Sequence, residues 1–429
     1  MSFTSAPGSA QDRSEVDRSR WSDVRLAVAA RAVSACGDFL AATALLLTLQ
    51  ARGAGGYAVA ALLLAAAVPP VLLARWTGRL ADRVDSRLLL VATGLVQAAI
   101  CTAMAFTSGT ALLIGLAALL SCGYAVTQPT LAALLPAMVR QADVVRAGAL
   151  GQTATAVGSL IAPALAGVLV GTFGLRTPLL LDAASYVAIV VAGMLIRTRR
   201  GGTATAPAGP VAQPAPAWRL RADPLLFTMV VTTAAVVAAV CAVNVADVYL
   251  VRGVLHSSAT AYGLLTAVWT GATMLGGAAL GRRNGGDASL SVAMLGAFAV
   301  TSAAVLAMAA APGLIWLVPM FLVGGAGNGV LNVAAGALVA RRTPAPVRGR
   351  AFATFGAVVN ASNAVGFVLG GVLLGALSIR LTVGAAGLFG LLVTAAFAVP
   401  MLKAAARERA IATGAAEVAA PAEPVLSAT

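Results

Sequence analysis

Residues 78–106 read GRLADRVDSRLLLVATGLVQAAICTAMAF. Arg79, Asp82, Arg83, Asp85 and Arg87 crowd into the first part, and no charge follows from 88 to 106. A helix crossing the hydrocarbon core of a bilayer needs about 20 mostly apolar residues, so this is a wet turn opening onto a spanning run. Backbone amides find no water in lipid, which makes each such run helical. The same alternation recurs along the chain and predicts spans over roughly 26–49, 56–75, 88–106, 110–136, 147–172, 178–196, 225–248, 260–280, 288–310, 313–340, 351–375 and 380–402. The expected fold class is an all-α polytopic membrane protein of twelve transmembrane helices.

Composition agrees: 60% of the 429 residues are apolar and 10% are charged, against about 25% charged in a soluble domain. The net charge of +14 does not indicate nucleic acid, because that function needs a basic face on a soluble fold. Short cytoplasmic loops accumulate Arg and Lys. With the N-terminus inside, 24 of the 29 basic residues fall in cytoplasmic segments. Only Arg52, Arg176, Arg252 and Arg380 fall opposite, and Arg31 lies within span 1. One span more or fewer would scramble this asymmetry, so the reading is a cell-membrane protein with both termini cytoplasmic. The mixed charges of residues 11–25 do not form a cleavable signal, and the first span is expected to remain.

The chain divides into a cytoplasmic segment 1–25, a six-helix half 26–200, a Pro/Ala/Gly-rich linker 201–222, a second half 223–403 and a tail 404–429 expected to be disordered. Shifting the sequence by 204 residues lays APALAGVLVG (162–171) on GFVLGGVLLG (366–375), and pairs Gly123 with Gly327, Arg146 with Arg350 and Arg176 with Arg380. Two pseudo-symmetric six-helix halves of one orientation are a transporter architecture, with substrate between repeats near the midplane. Cys36, Cys101, Cys122 and Cys241 all lie in apolar runs without CxxC spacing and read as small buried hydrophobes. Neither a metal site nor a cofactor is expected.

Ionisable groups inside a bilayer are costly and mark function by default. The sequence offers Arg31 and Asp38 in span 1 and Asp247 in span 7. At about 1.5 Å per residue Asp38 lies about 18 Å from the cytoplasmic end of its helix, near the midplane, with Arg31 two turns earlier on the same face. The pair reads either as a proton-coupling or cation-binding group or as a structural Arg–Asp pair. Asp247 falls near the outer end of its helix, where surface water would solvate it. His256 sits in an outer loop as a solvated residue rather than a proton shuttle.

The loop GRLADRVDSR resembles the signature of the major facilitator superfamily, matched by Gly78, Leu80, Ala81, Asp82, Arg83 and Arg87. On residues alone, its Gly permits a tight turn and its charges are either solvated or a conformational contact. The resemblance implies the major facilitator fold, and a role for Asp82 in locking the outward-facing state against the start of helix 11 near Arg350. The second-half counterpart, GRRNGGDASLS (281–291), is degenerate. GSLIAPALAG (158–167) in span 5 is similar to the antiporter motif of exporters in that superfamily, keeping Gly158, Pro163 and Gly167, with Ala162 and Ala166 in place of glycines. On residues alone it is a tight helix-packing stripe. Gly37-Asp38, QPTLAALLP (128–136), DAASY (182–186) and RTPAPVRGRAF (342–352) resemble the branch holding macrolide-type drug exporters and siderophore exporters such as the enterobactin exporter. Helix 4 lacks the embedded Arg of many proton-coupled antiporters, so a relay built on it does not transfer. In this superfamily helices 1, 4, 7 and 10 line the cavity, which implies that Gln128, Asn244, Asn328 and Asn332 either contact substrate or stitch helices together.

The expected function is therefore proton-coupled efflux of a hydrophobic or amphipathic small molecule by a monomer in the lipid bilayer. An uptake permease or ion-coupled symporter of the same fold is the alternative. A membrane enzyme would need clustered carboxylates, histidines or a nucleophile at one depth, and an ATP-driven pump would need GxxxxGK[ST]. Neither pattern is present, since the lone lysine, Lys403, precedes Ala. A membrane sensor has no supporting domain.

Overall fold

The computed structural model describes residues 19–199, 220–283, 285–344 and 347–419. Twelve helices there are long and apolar enough to cross a membrane. They are α1 (Trp21–Ala51), α2 (Gly56–Arg83), α3 (Ser86–Ala105), α4 (Thr110–Ala137), α5 (Val144–Phe173) and α6 (Arg176–Leu195), then α7 (Pro224–Tyr249), α8 (Ala259–Gly281), α9 (Asp287–Ala310), α10 (Leu314–Arg342), α11 (Arg348–Ala376) and α12 (Ile379–Ala419). A π-helical turn, Leu250–Val254, extends α7. The burial pattern suits lipid as solvent: Leu72, Leu275 and Ile315 are 65%, 70% and 78% exposed, which a water-soluble surface would not carry in such number. The multi-pass membrane class is thus evident from the outside of the bundle as well as from helix length.

Boundaries moved where local chemistry outweighed hydropathy. α1 starts earlier, at Trp21, and Asp23 in its first turn accepts from the Thr198 amide (3.0 Å) and hydroxyl (2.8 Å). α2 runs on through Gly78 to Arg83, leaving Val84 and Asp85 between it and α3. Gly78 is therefore a helical residue with open space around it, not the turn glycine the sequence suggested. The turn residue is Asp85, whose carboxylate caps α3 by accepting from the amides of Arg87 (2.8 Å) and Leu88 (3.3 Å). α12 continues to Ala419, past residue 404, where disorder was expected. The segment is rich in Ala, with two Glu and two Arg, all good helix formers, and meets no Pro before Pro421. Of the linker, only the 3₁₀ turn Leu220–Ala222 is within the described residues.

The repeat is visible in the helices themselves. Thr110 and Leu314, and Val144 and Arg348, open α4/α10 and α5/α11 at positions 204 apart. The register holds for contacts: a Cβ on Gly123 would lie 2.6 Å from Gln97 Cγ, and one on Gly327 would lie 2.5 Å from Thr301 Oγ1. Gln97 and Thr301 are themselves 204 apart, so α3 and α9 join the repeat.

The chain forms two compact units. The first holds Met1–Pro210, Val245–Thr270 and Phe367–Ile379, and the second holds Val211–Asn244, Gly271–Gly366 and Arg380–Thr429. The first unit therefore includes one end each of α7, α8 and α11. In it the core of α1, α3, α4 and α6 gathers Val24, Leu90, Leu131, Met138 and Tyr186. In the second, Leu225, Met294, Phe298, Leu331 and Leu338 form the core. There Arg342 pairs with Asp223 (2.7 Å) and Asp287 (3.3 Å).

Candidate functional site

Within the first unit a cavity of about 250 Å³ opens among α1, α2, α4, α5 and α6. Leu45, Leu46, Leu62, Leu63 and Leu120 make one wall apolar; Arg31, Asp38, Tyr124, Gln128, Thr155 and Tyr186 supply its polar groups. It has the make-up of a small-molecule site, mostly hydrophobic with a few convergent polar groups.

Arg31 and Asp38 share this cavity but do not form an ion pair. The Arg31 Nε donates to Thr155 Oγ1 of α5 at 2.9 Å. Asp38 accepts a hydrogen bond from the Tyr186 hydroxyl of α6. Tyr186 is 1% exposed, so packing fixes its ring and aims the hydroxyl at α1. Asp38 is thereby held by a neutral donor at the cavity wall, half-buried and without a cation within ion-pair distance.

α6 reaches α1 this closely because residue 37 is glycine: a Cβ there would lie 2.5 Å from Ser185 Oγ and closer still to Asp182 Oδ1. Asp182 is 0% exposed. Its carboxylate accepts from Ser185 Oγ (3.1 Å) and from the Cys101 thiol of α3 (3.2 Å). The predicted span 178–196 left Asp182 near a helix end, and it did not stand out as an intramembrane acid. α6 begins at Arg176, which puts Asp182 in its second turn with Tyr186 one turn further on the same face. That Asp-x-x-Ser-Tyr spacing was the available signal.

The antiporter-like motif makes two contacts. A Cβ on Gly158 would lie 2.8 Å from the Ala32 carbonyl of α1, and Ala162 and Ala166, both fully buried, cluster with Leu40. Beyond Pro163 the helix turns to α8: a Cβ on Gly167 would meet the Ala259 carbonyl, one on Gly263 would meet the Pro163 carbonyl, and Thr260 Oγ1 donates to the Gly167 carbonyl at 3.4 Å. The repeat supplies a matching contact, with Gly371 of α11 against Ala60 and Gly56 of α2. Shifting Gly167 and Thr260 by 204 in opposite senses gives Gly371 and Gly56. Tyr249 adds a hydroxyl bond to the Ala54 carbonyl at this end.

Of the other sequence candidates, Gln128 lines the cavity. Asn244 is exposed in the second unit with Cys241 Sγ 4.0 Å away, and Asn332 stands 3.5 Å from Asn328 Oδ1. These three do not join Gln128 in the described cavity. Asn363, which accepts from Cys241 Sγ at 3.1 Å, was not anticipated. Asp247 is half-buried and accepts from Tyr262 OH at 3.3 Å instead of standing in surface water. In the signature loop Arg83 is exposed and Arg87 half-buried; the Asp82 side chain lies outside the described residues. Among the described residues no three His, Cys, Asp or Glu side chains gather as a metal site.

Twelve membrane-length helices in a repeated six-plus-six order, together with the family match, define a secondary transporter of the major facilitator superfamily. The chain belongs to the transmembrane secretion effector family, which matches residues 21–424. Its fold is similar to that of a bacterial homologue of the iron transporter ferroportin in an inward-facing state, with TM-score 0.70 and 16% identity over 90% of this chain and 100% of that one. An auto-inhibited POT family peptide transporter gives 0.69 and 13% over 88% and 96%, and the nucleoside transporter NupG gives 0.68 and 14% over 88% and 99%. At these identities the likeness is one of fold. No curated protein sequence matches the chain significantly.

Proposed function

We propose that this protein exports a hydrophobic or amphipathic small molecule across the cell membrane in exchange for protons, by alternating access, with both termini cytoplasmic. The observation that carries the reading is Asp38, a carboxyl on the wall of the cavity held by the Tyr186 hydroxyl and lacking an ionic partner. A carboxyl so placed can trade a proton for a substrate. Arg31, tied to Thr155 through its Nε, is a cation on the same cavity wall for acceptors on the substrate or for Asp38 once its proton leaves. Gln128 supplies a neutral contact. The family description, a secretion effector, favours export over uptake.

In this reading the α5–α8 and α2–α11 contacts are the outer gate, and the antiporter-like motif serves it by removing side chains from the interface. The signature loop is the matching inner element, with Asp82 locking the outward-facing state. A susceptibility screen tests the export reading. Overexpression should raise, and deletion lower, tolerance to at least one amphipathic antibiotic in a panel that includes macrolides, or should change siderophore release. Unaltered tolerance and unaltered release in both strains would contradict it.

A further inference from the structure

We infer that Asp182 is a second proton-binding carboxyl of this transporter, standing behind Asp38 where α6 meets α1. The inference rests on the proton-coupled reading of the same site but concerns a residue that reading does not use. Asp182 is completely shut from solvent. Its two oxygens are met by one hydroxyl, Ser185, and one thiol, Cys101, and a thiol is a weak donor.

The groups that face it from each packed helix are known. α1 brings Cys36 and Asp38, α3 brings Cys101, and α6 itself brings Ser185 and Tyr186. The ionisable side chain of α5, Arg146, lies over the Trp21 ring, 4.9 Å from its centroid. The ion pairs found among the described residues involve Asp223 and Asp287. A carboxylate stripped of water without a counter-ion is strongly disfavoured. A bound proton removes that charge, and the Cys101 sulfur or the Ser185 oxygen can accept the resulting O–H.

Position gives the proton a use. Asp182 lies one turn before Tyr186, the residue bonded to Asp38, and Gly37 leaves no slack between the Asp182 carboxyl and the α1 backbone beside Asp38. Any shift of α1 against α6 when Asp38 gains or loses its proton is therefore felt at Asp182. The cavity-lining acid, Asp38, exchanges with the cavity, and the sealed acid exchanges only when the α1–α6 contact loosens.

The test is pH-difference infrared spectroscopy on the full chain in lipid nanodiscs, with ¹³C-labelled aspartate and protons as the only probe. The parent should show protonated-aspartate carbonyl bands of which Asp38→Asn removes one and Asp182→Asn another, after subtraction of any band lost in Asp247→Asn. Cys101→Ala should shift the Asp182 band and leave the Asp38 band in place, which keeps the test decisive if Asp182→Asn does not fold. Loss of a band in Asp182→Asn but none in Asp38→Asn would uphold this inference and refute the role of Asp38. A spectrum unchanged by both Asp182→Asn and Cys101→Ala would overturn it.

Discussion

The proposed chemistry depends on how one side chain, Asp38, is held. Its hydrogen bond from Tyr186 is of the kind worth about 1.5–3 kcal/mol when a charged group accepts, so Tyr186→Phe should lower proton-coupled transport by roughly ten- to a hundredfold. The protein level in the membrane should stay normal, because the ring still fills the core. Dye efflux normalised to immunoblotted protein measures this; parental efflux would show that Tyr186 only packs. Asp38 was legible in the sequence because an acid in an apolar run stands out against its neighbours. Its partner was not, since Tyr186 lies 148 residues away and only the packing of α6 on α1 brings the two together. Asp182 was hidden for a different reason: near an uncertain helix boundary, a deeply buried acid and a surface acid look alike.

Helices meet backbone to backbone in the first unit, and this is where the antiporter-like stripe acts. A side chain at Gly167 would collide with the Ala259 carbonyl of α8, and overpacking typically costs about 1–3 kcal/mol. Gly167→Leu should therefore shift the equilibrium away from the closed outer end by roughly ten- to a hundredfold. Faster labelling of a cysteine introduced at Gly171 or Thr172, with reduced export, is the expected result; unchanged labelling would remove this contact from the gate. In the second unit, Arg342 holds α10 to Asp223 and to α9 through side chains 17–28% exposed. Arg342→Ala should cost about 1–3 kcal/mol, read as a lowered Tm of the purified protein in detergent. Helix existence was legible from hydropathy, but helix ends were not: Asp85 caps α3, and Asp23 ties the start of α1 to Thr198, through hydrogen bonds that no apolar run records.

At the scale of the molecule, the 204-residue repeat was readable from a few glycines and arginines, and it also organises the packing of α3 with α4 and of α9 with α10. The cavity was less legible. The family resemblance implied polar residues on helices 1, 4, 7 and 10, whereas the described cavity takes Arg31 and Asp38 from α1 and Gln128 from α4. Asp82→Asn, by weakening the proposed lock, should shift the population toward inward-facing conformations, seen as slower labelling of cysteines at the outer ends; equal labelling would count against the lock. The claim that joins these scales is that export is driven by protons through Asp38. Everted membrane vesicles bearing an imposed pH gradient, loaded with a panel of fluorescent amphipathic dyes such as ethidium, measure it directly. The account predicts dye accumulation in parental vesicles that collapses with the gradient and is absent in Asp38→Asn. Accumulation that survives loss of the gradient, or that is equal in Asp38→Asn, would contradict it.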